Sequence, residues 1–347
     1  MRRQDGMQLN KLNGAWEATE LDLYNDDDAV ELGKQVADKC VVLVDQKLDV
    51  DRLHGIQTLW GDRAPSIIHA LTLLGFLKGP HWNSVRLNVI QSVAQLDDKY
   101  KDKVSVVTYQ TNDKGRPQGI FTNGKLGWHS DQVTLDDGQR VIGLCSVEHT
   151  EGSQTAFLCT AEAYDKLNHE DKTMVDELKA VYKWNVENFT GDLIPEQKQI
   201  VRYNQTPVDG MSCSFKQETA SGREGIHFPG SLFSHFLGMG QDESNKFKDY
   251  IWSLLNKDEY IYTHDWKDGQ VVYMDQNITL HARPTDVEQG NQRKLWRCIS
   301  YMDNLYPGKG HNPKFVVDGE EIKMDDFVEI VDAQRRTEYE AGKRVGI

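Results

Sequence analysis

Short runs of β-branched and aromatic residues, bounded by turn residues, recur through the middle and last third of this chain. They occupy the segments 104–109, 141–147, 271–274 and 295–302. Short strands separated by Asn, Gly and Pro clusters are typical of sandwiches and barrels, whereas regular alternation of strand and helix is typical of parallel sheets. We therefore expect a mainly β fold, with a sandwich or barrel core and flanking helices.

Helical patterns lie on both sides of these strands. The acidic run 26–28 favours a helix start, and Asp49 is the predicted cap of a second helix. An amphipathic helix is predicted over 244–255, and a helical pattern also covers 161–182. The tail carries a charged helical pattern from Met324 to Lys343.

No repeat or linker divides the sequence before Pro307. We therefore predict a single domain over residues 1–306 and a C-terminal extension over 307–347. No apolar stretch approaches the length of a membrane span, and the N-terminus lacks the apolar run of a secretory signal.

Charge and cysteine content narrow the expected partners and compartment. The formal net charge is −14, without a Lys/Arg-rich stripe of the kind that binds phosphates. A small soluble substrate is therefore favoured over nucleic acid or an anionic membrane. The five cysteines are scattered and odd in number, which argues against a disulfide framework and favours a reducing cytoplasm.

The triplet His129-Ser130-Asp131 follows a cluster of turn residues. In an extended segment, residues i and i+2 point to the same face, so the imidazole and the carboxylate would converge. With one further histidine they would form a facial triad of two histidines and one carboxylate, which leaves positions open on iron(II). His281, predicted in a turn-rich connection between strands, is the candidate. The triplet alone also fits a solvated turn or a hydrogen-bonded His–Asp pair.

Arg293 and Arg297 stand four residues apart in a strand-like run. That spacing places both guanidiniums on one face of a strand. A guanidinium binds a carboxylate bidentately, and a co-substrate or a substrate could supply that anion. Ordinary surface salt bridges are the alternative for either arginine.

Several motifs in order resemble the taurine dioxygenase family. WHSD matches its first metal motif, and HDWKDGQVVYMDQNITLHARP resembles its pattern of a Trp-Gly segment, an Asp-Asn pair and a histidine. RKLWRCISY matches its closing strand, whose two arginines are also four apart. The similarity extends from about Gly14 to Met302. Gln270 and Tyr273 depart from the family's usual Asp and Trp, outside the metal motif.

The resemblance implies a double-stranded β-helix, a jelly-roll-like barrel whose mouth holds the metal. It implies Fe(II) bound by His129, Asp131 and His281. Thr155 and Arg293 resemble the pair that grips the distal carboxylate of the co-substrate 2-oxoglutarate. Arg297 resembles the residue that reaches the substrate anion in sulfonate-using members.

The activity implied is hydroxylation of an unactivated C–H bond of a small anionic molecule, with release of succinate and CO2. Asp131 favours hydroxylation or desaturation, because related halogenases have Gly or Ala at this position. Two other classes stay open: a non-catalytic metal- or ligand-binding barrel, and a metal-dependent hydrolase. His69 is a further substrate-binding candidate, with a structural histidine as the alternative. Relatives are often dimers or tetramers, which leaves a homo-oligomer open.

Overall fold

The structure of the protein is a computed structural model, and it describes most of the chain. The described residues are 6–62, 79, 103–110, 125–131, 139–183, 210–228, 230–286, 291–308 and 314–342. The helices are α1 (Asp26–Lys39), α2 (Val50–Trp60), α3 (Ala161–Asp165), α4 (His169–Glu177), α5 (Gln241–Leu255) and α6 (Met324–Glu340). The strands in the first half are β1 (Gln8–Lys11), β2 (Trp16–Thr19), β3 (Val41–Val44), β4 (Ser105–Thr108), β5 (Leu126–His129), β6 (Arg140–Glu148) and β7 (Gln154–Cys159).

The remaining strands of the described residues lie in the second half of the chain. They are β8 (Lys179–Tyr182), β9 (Gly210–Ser214), β10 (Lys216–Glu218), β11 (Glu224–Ile226), β12 (Phe233–Phe236), β13 (Ile261–Asp265), β14 (Val271–Asp275), β15 (Thr279–Arg283), β16 (Lys294–Tyr301), β17 (Lys314–Val317) and β18 (Glu320–Ile322). The four strands expected from the short apolar runs are thus confirmed as β4, β6, β14 and β16.

Side-chain caps set the starts of the first two helices. The Asn25 side chain accepts hydrogen bonds from the backbone amides of Asp27 and Asp28 at the start of α1. The Asp49 side chain accepts from the backbone amide of Arg52 at the start of α2. These bonds satisfy amides that have no partner within the helix. The Asp49 cap confirms the sequence-based prediction, and the acidic run 26–28 lies in the first turn of α1 as expected.

Two sheets form the core of the fold. The larger has the strand order β1-β2-β3-β14-β6-β16-β4, and the smaller has the order β13-β7-β15-β5. Alternate residues of β14 point to opposite sides of the larger sheet. Val271 and Tyr273 belong to the cluster that packs against α1 and α2, whereas Val272 and Met274 belong to the cluster shared with β7 of the smaller sheet. Helices therefore cover one face, and the smaller sheet covers the other.

The same alternation on β16 turns both arginines towards the smaller sheet. Leu295 and Ile299 lie in the cluster between the two sheets. Arg293 and Arg297 share their parity, and therefore their face. The other face of the smaller sheet packs on a third cluster, which includes Leu158, Leu280 and residues of α5. The expected mainly β fold with flanking helices is confirmed.

Two details differ from the sequence-based expectation. The helix predicted over 161–182 is wrong at its C-terminal end, because Lys179–Tyr182 forms strand β8, which lies between β9 and β12. Buried pairing partners overrode the local pattern there. His281 lies inside strand β15 rather than in a turn-rich connection.

The C-terminal segment joins a sheet of the preceding chain. Strand β17 pairs antiparallel with β9, with Phe315 opposite Met211. Glu321 accepts hydrogen bonds from Lys179 at 2.9 Å and from the Ser212 hydroxyl at 2.6 Å. The division into 1–306 and 307–347 stays a prediction. In the described part of the chain, no helix has the length and apolarity that a membrane crossing requires.

Candidate metal centre

Two neighbouring strands of the smaller sheet place two histidines side by side. β5 pairs with β15, with His129 directly opposite His281. Their ring centroids are 4.1 Å apart. Asp131 follows two residues after His129, and one ligand atom from each of the three residues lies within 4.8 Å of the others. The three residues that the sequence singled out therefore form one cluster.

The two oxygens of Asp131 have different partners. Oδ1 lies 3.7 Å from His129 Nε2 and 3.9 Å from His281 Nε2. Oδ2 accepts a hydrogen bond from Arg297 Nη1 at 2.5 Å. The backbone amide of Asp131 donates to the Gln276 side-chain oxygen at 2.9 Å. Arg297 and Gln276 thus hold the carboxylate with one oxygen towards both histidines.

The protonation states suit a divalent metal. His129 Nδ1 donates to the Gly127 carbonyl at 2.7 Å, so Nε2 is the ring nitrogen that faces Asp131, at 3.7 Å from Oδ1. Burial, reinforced by His129, lowers the pKa of His281 to about 3, so this imidazole is neutral. Burial alone would raise the pKa of Asp131, but Arg297 and the two histidines outweigh it and hold that pKa well below its usual range.

The donor set fits a metal ion of the first transition series. Two neutral imidazole nitrogens and one carboxylate oxygen are the donors of the facial triad, which leaves positions open for other ligands. Ligand atoms bound at about 2.1 Å would lie about 3 to 4.2 Å apart, depending on the angle at the metal. The observed Oδ1–Nε2 distances of 3.7 and 3.9 Å fall within that range.

A tight turn supports the strand that carries His129. Gly230 has φ of 48°, and a Cβ added there would collide with the Trp128 carbonyl oxygen. Only glycine combines this backbone conformation with so close an approach. Trp128 also packs near Trp252, with ring centroids 6.3 Å apart. The residue before His129 is thus held by the close approach of Gly230 to its carbonyl and by the contact of its ring with Trp252 of α5.

Arg293 lies next to Tyr109 at the end of β4. Its side chain is buried, and its Nη1 donates a hydrogen bond to the Tyr109 hydroxyl. Its Nε has no hydrogen-bond partner among the described residues. Burial lowers the pKa of the guanidinium, while Tyr109 acts in the opposite direction. A buried cation with an unused donor has a physical reason to bind an anion.

Thr155 is also buried, on β7 of the smaller sheet. Its hydroxyl accepts a hydrogen bond from Trp266 Nε1 at 2.9 Å. Thr155 and Arg293 therefore have separate partners, Trp266 and Tyr109, and no direct bond between them is present. Because the Thr155 oxygen accepts from Trp266, its own proton is available to another acceptor.

Some candidates lie elsewhere, and some neighbours were not anticipated. His69 falls outside the described residues, so its role stays a prediction.

The sequence did not predict Tyr109, Arg283 or Gln276 as neighbours of the site. Gln276 stands in the Asp-Gln-Asn turn before His281, which was a usable signal. Tyr109 had no local signal, because its partner lies 184 residues away in the sequence.

Comparisons with known proteins agree with this geometry. Residues 76–299 match the sequence model of the family described as "Taurine catabolism dioxygenase TauD, TfdA family". This match covers more than half of the chain and spans His129, Asp131, His281, Arg293 and Arg297.

Individual relatives are distant. The chain is 22% identical over 200 residues to pentalenolactone F synthase of Streptomyces arenae, covering 55% of this chain and 66% of that protein. It is 27% identical over 179 residues to the alpha-ketoglutarate-dependent 2,4-dichlorophenoxyacetate dioxygenase of Cupriavidus pinatubonensis, covering 51% and 60%. The chain thus spans somewhat less than two thirds of the length of these curated relatives.

The fold is similar to that of a solved structure. The crystal structure of AAD-2 in complex with Mn(II) and N-oxalylglycine superposes with a TM-score of 0.62 at 17% sequence identity, covering 86% of this chain and 98% of that one. This likeness confirms the expected fold class, a mainly β structure with a jelly-roll core.

Proposed function

This chain belongs to the taurine catabolism dioxygenase TauD, TfdA family, and from that premise we propose that it is an Fe(II)- and 2-oxoglutarate-dependent dioxygenase. The observation that carries the proposal is the cluster of His129, Asp131 and His281 within 4.8 Å. The reaction proposed is hydroxylation of a C–H bond of a small anionic molecule, with release of succinate and CO2.

The three clustered residues would hold the iron. Bound there, it supplies the activation of oxygen that side chains alone do not provide. His129 would bind the metal through Nε2, because Nδ1 donates to the Gly127 carbonyl. Asp131 would bind it through Oδ1, because Oδ2 accepts from Arg297. The three ligands leave open positions for the co-substrate.

The distal carboxylate of 2-oxoglutarate would bind Arg293 and Thr155. Arg293 offers a buried cation with an unused Nε, and a carboxylate would offset the cost of burying that charge. Thr155 offers the hydroxyl proton that its bond from Trp266 leaves available. The named co-substrate of the relative from Cupriavidus pinatubonensis, and the N-oxalylglycine in the AAD-2 crystal, support a small oxo-dicarboxylate here.

The prime substrate would lie on the Arg297 side of the metal. Arg297 uses Nη1 for Asp131, while its Nε has no hydrogen-bond partner among the described residues. Its side chain is 29% exposed, so an anion from solvent could reach it. The relative from Cupriavidus pinatubonensis is named for an aryloxyacetate. We infer an anionic substrate, with carboxylates and sulfonates as the first classes to screen.

The retained carboxylate of Asp131 favours hydroxylation or desaturation over halogenation. A halide would need the coordination position that Asp131 occupies. His69 remains a proposed contact to the substrate anion. A homo-oligomer and a cytoplasmic location are also proposals, and sedimentation analysis of the purified chain would determine the oligomeric state.

The test is turnover of 2-oxoglutarate by the purified chain with Fe(II), across a panel of small acids. We expect succinate formation and oxygen uptake that both require 2-oxoglutarate, and their loss in His281→Ala. Hydrolysis of an ester or amide substrate with Zn(II) or Mn(II), without either signal, would instead favour the hydrolase. Metal binding with no turnover of any kind would favour a non-catalytic barrel.

A further inference from the structure

Tyr109 contacts two guanidiniums at once. The Arg293 Cζ lies 5.0 Å from the centre of the Tyr109 ring, and the Arg283 Cζ lies 5.1 Å from it. Both distances are within the range of attraction between a cation and an aromatic face. All three side chains are buried, with exposures of 1% for Tyr109, 8% for Arg283 and 4% for Arg293. Interactions of this kind are stronger in a desolvated setting.

The end of strand β4 holds Arg293 at both its backbone and its side chain. The Thr108 hydroxyl donates to the Arg293 carbonyl at 2.7 Å, and the Tyr109 backbone amide donates to the same oxygen at 3.4 Å. The Tyr109 hydroxyl accepts from Arg293 Nη1. A long, flexible side chain is thereby limited to one orientation before any ligand arrives, which lowers the entropy lost on binding.

This orientation leaves donors of Arg293 for a ligand. One Nη is occupied by Tyr109, and Nε is buried without a described partner. Arg283 contacts the same ring and is also buried. The described hydrogen bonds and ion pairs of His129, Asp131 and His281 do not involve Tyr109 or Arg283.

We propose that Tyr109 is a positioning residue that aims Arg293 at the distal carboxylate of the co-substrate and so sets selectivity for oxo-dicarboxylates. This inference rests on the proposed function, because it takes 2-oxoglutarate as the ligand of Arg293. It predicts that the Tyr109 hydroxyl affects only ligands with a distal carboxylate. A purely structural role would affect every ligand of the site to the same degree.

The experiment compares two ligands that differ at one end. 2-Oxopentanoate has the same chain length as 2-oxoglutarate, with a methyl group in place of the distal carboxylate. Both are titrated by calorimetry into Mn(II)-loaded wild type and Tyr109→Phe, which keeps the ring and removes the hydroxyl. Tyr182→Phe is the matched control, because its buried hydroxyl donates to the His227 carbonyl at 2.6 Å in a different cluster.

We expect Tyr109→Phe to weaken 2-oxoglutarate binding about tenfold, the effect of losing one hydrogen bond to a charged group. Affinity for 2-oxopentanoate and for Mn(II) should stay within about twofold of wild type on the same scale. Tyr182→Phe should change neither ligand.

Equal weakening of both ligands, or of neither, in Tyr109→Phe would overturn the assignment of Tyr109 while leaving the proposed function in place. A wild-type protein that binds Mn(II) but does not prefer 2-oxoglutarate over 2-oxopentanoate would remove the proposed co-substrate itself. The two failures are therefore told apart by the wild-type titration alone.

Discussion

Arg297 and Asp131 form a short ion pair, with Nη1 donating to Oδ2 at 2.5 Å. The two residues are 166 positions apart in the sequence: Arg297 lies on β16 of the larger sheet, and Asp131 lies two residues after β5 of the smaller sheet. The pair turns the other oxygen of the carboxylate towards His129 and His281. Arg297 therefore acts on the metal ligand in addition to its proposed contact with substrate.

Replacing Arg297 by Gln should weaken metal binding. The substitution removes the charge that orients Asp131, and loss of such a supporting contact typically lowers metal affinity by about 10- to 100-fold. Calorimetric titration with Mn(II) would measure the change. Arg223→Gln is the matched control, because Arg223 and Asp165 form an ion pair of the same 2.5 Å length on the surface. Wild-type affinity in Arg297→Gln would show that Asp131 is held by other contacts.

Gly230→Ala should destabilise the protein and weaken metal binding together. A Cβ at this position meets the Trp128 carbonyl oxygen, one residue before His129. Gly238→Ala is the control, since Gly238 also has positive φ, at 84°, but a Cβ there meets nothing within 4 Å. We expect Gly230→Ala to lower the free energy of unfolding by about 2 kcal/mol more than the control in urea denaturation. Equal losses of unfolding free energy in Gly230→Ala and Gly238→Ala would mean that the backbone around Gly230 shifts to accommodate the added methyl group.

Asp275→Asn should flatten the dependence of stability on pH. Burial raises the pKa of Asp275 to about 7, above the value of about 3.9 in an unfolded chain. The folded state therefore holds this proton more tightly, so the carboxyl favours folding at low pH. That contribution is complete below about pH 4 and is lost as pH rises to about 7.

The asparagine keeps an oxygen for the backbone amides of Asn277 and Ile278, which Asp275 Oδ1 accepts at 2.8 and 2.9 Å. Between pH 4 and 7, the unfolding free energy of metal-free protein should fall less in Asp275→Asn, by up to roughly 4 kcal/mol. Parallel curves for variant and wild type would contradict this. In the control Asp268→Asn, the pH dependence of the unfolding free energy should change in the opposite direction. A hydrogen bond from Thr150 lowers the pKa of Asp268, so its carboxylate favours folding at higher pH.

Glu321→Ala should lower stability through the C-terminal segment. Glu321 accepts from Lys179 and Ser212 on the neighbouring part of the sheet. Its loss leaves these donors without that carboxylate, at an expected cost of about 1 to 2 kcal/mol in thermal or urea unfolding. Glu320→Ala, at an exposed position of the same strand, should have little effect. Unchanged stability in both variants would favour an independently folded extension over 307–347.

The sequence predicted the parts of the fold that local patterns encode. The runs that became β6, β14 and β16 alternate between two buried clusters, the acidic run 26–28 begins α1, and Asp49 caps α2. Strand β8 was mistaken for helix because its buried state depends on β9 and β12, which are distant in the chain. The sequence predicted His281 in a turn because the segment Asp275-Gln276-Asn277 before it consists of turn-forming residues.

The metal cluster was predictable because its ligands are chemically distinctive and two of them, His129 and Asp131, are only two residues apart in the sequence. The residues that surround the cluster were not predictable from the sequence. Tyr109 and Arg293 meet only when β4 pairs with β16, and no spacing along the chain reveals that pairing. Arg283 follows His281 by two residues, so it shares the face of β15, but a contact with Tyr109 depends on the two sheets facing each other.

Arg293, one residue before strand β16, and Arg297 within it share one face, and Trp296 and Cys298 lie on the other. Inserting or deleting a single residue within β16 would exchange the two faces, burying guanidiniums under helices and presenting an indole to the ligands. A change of length within this strand should therefore be selected against more strongly than one in the segments that flank it. Among natural relatives, length variation should stop at its borders, even where almost every other residue has changed.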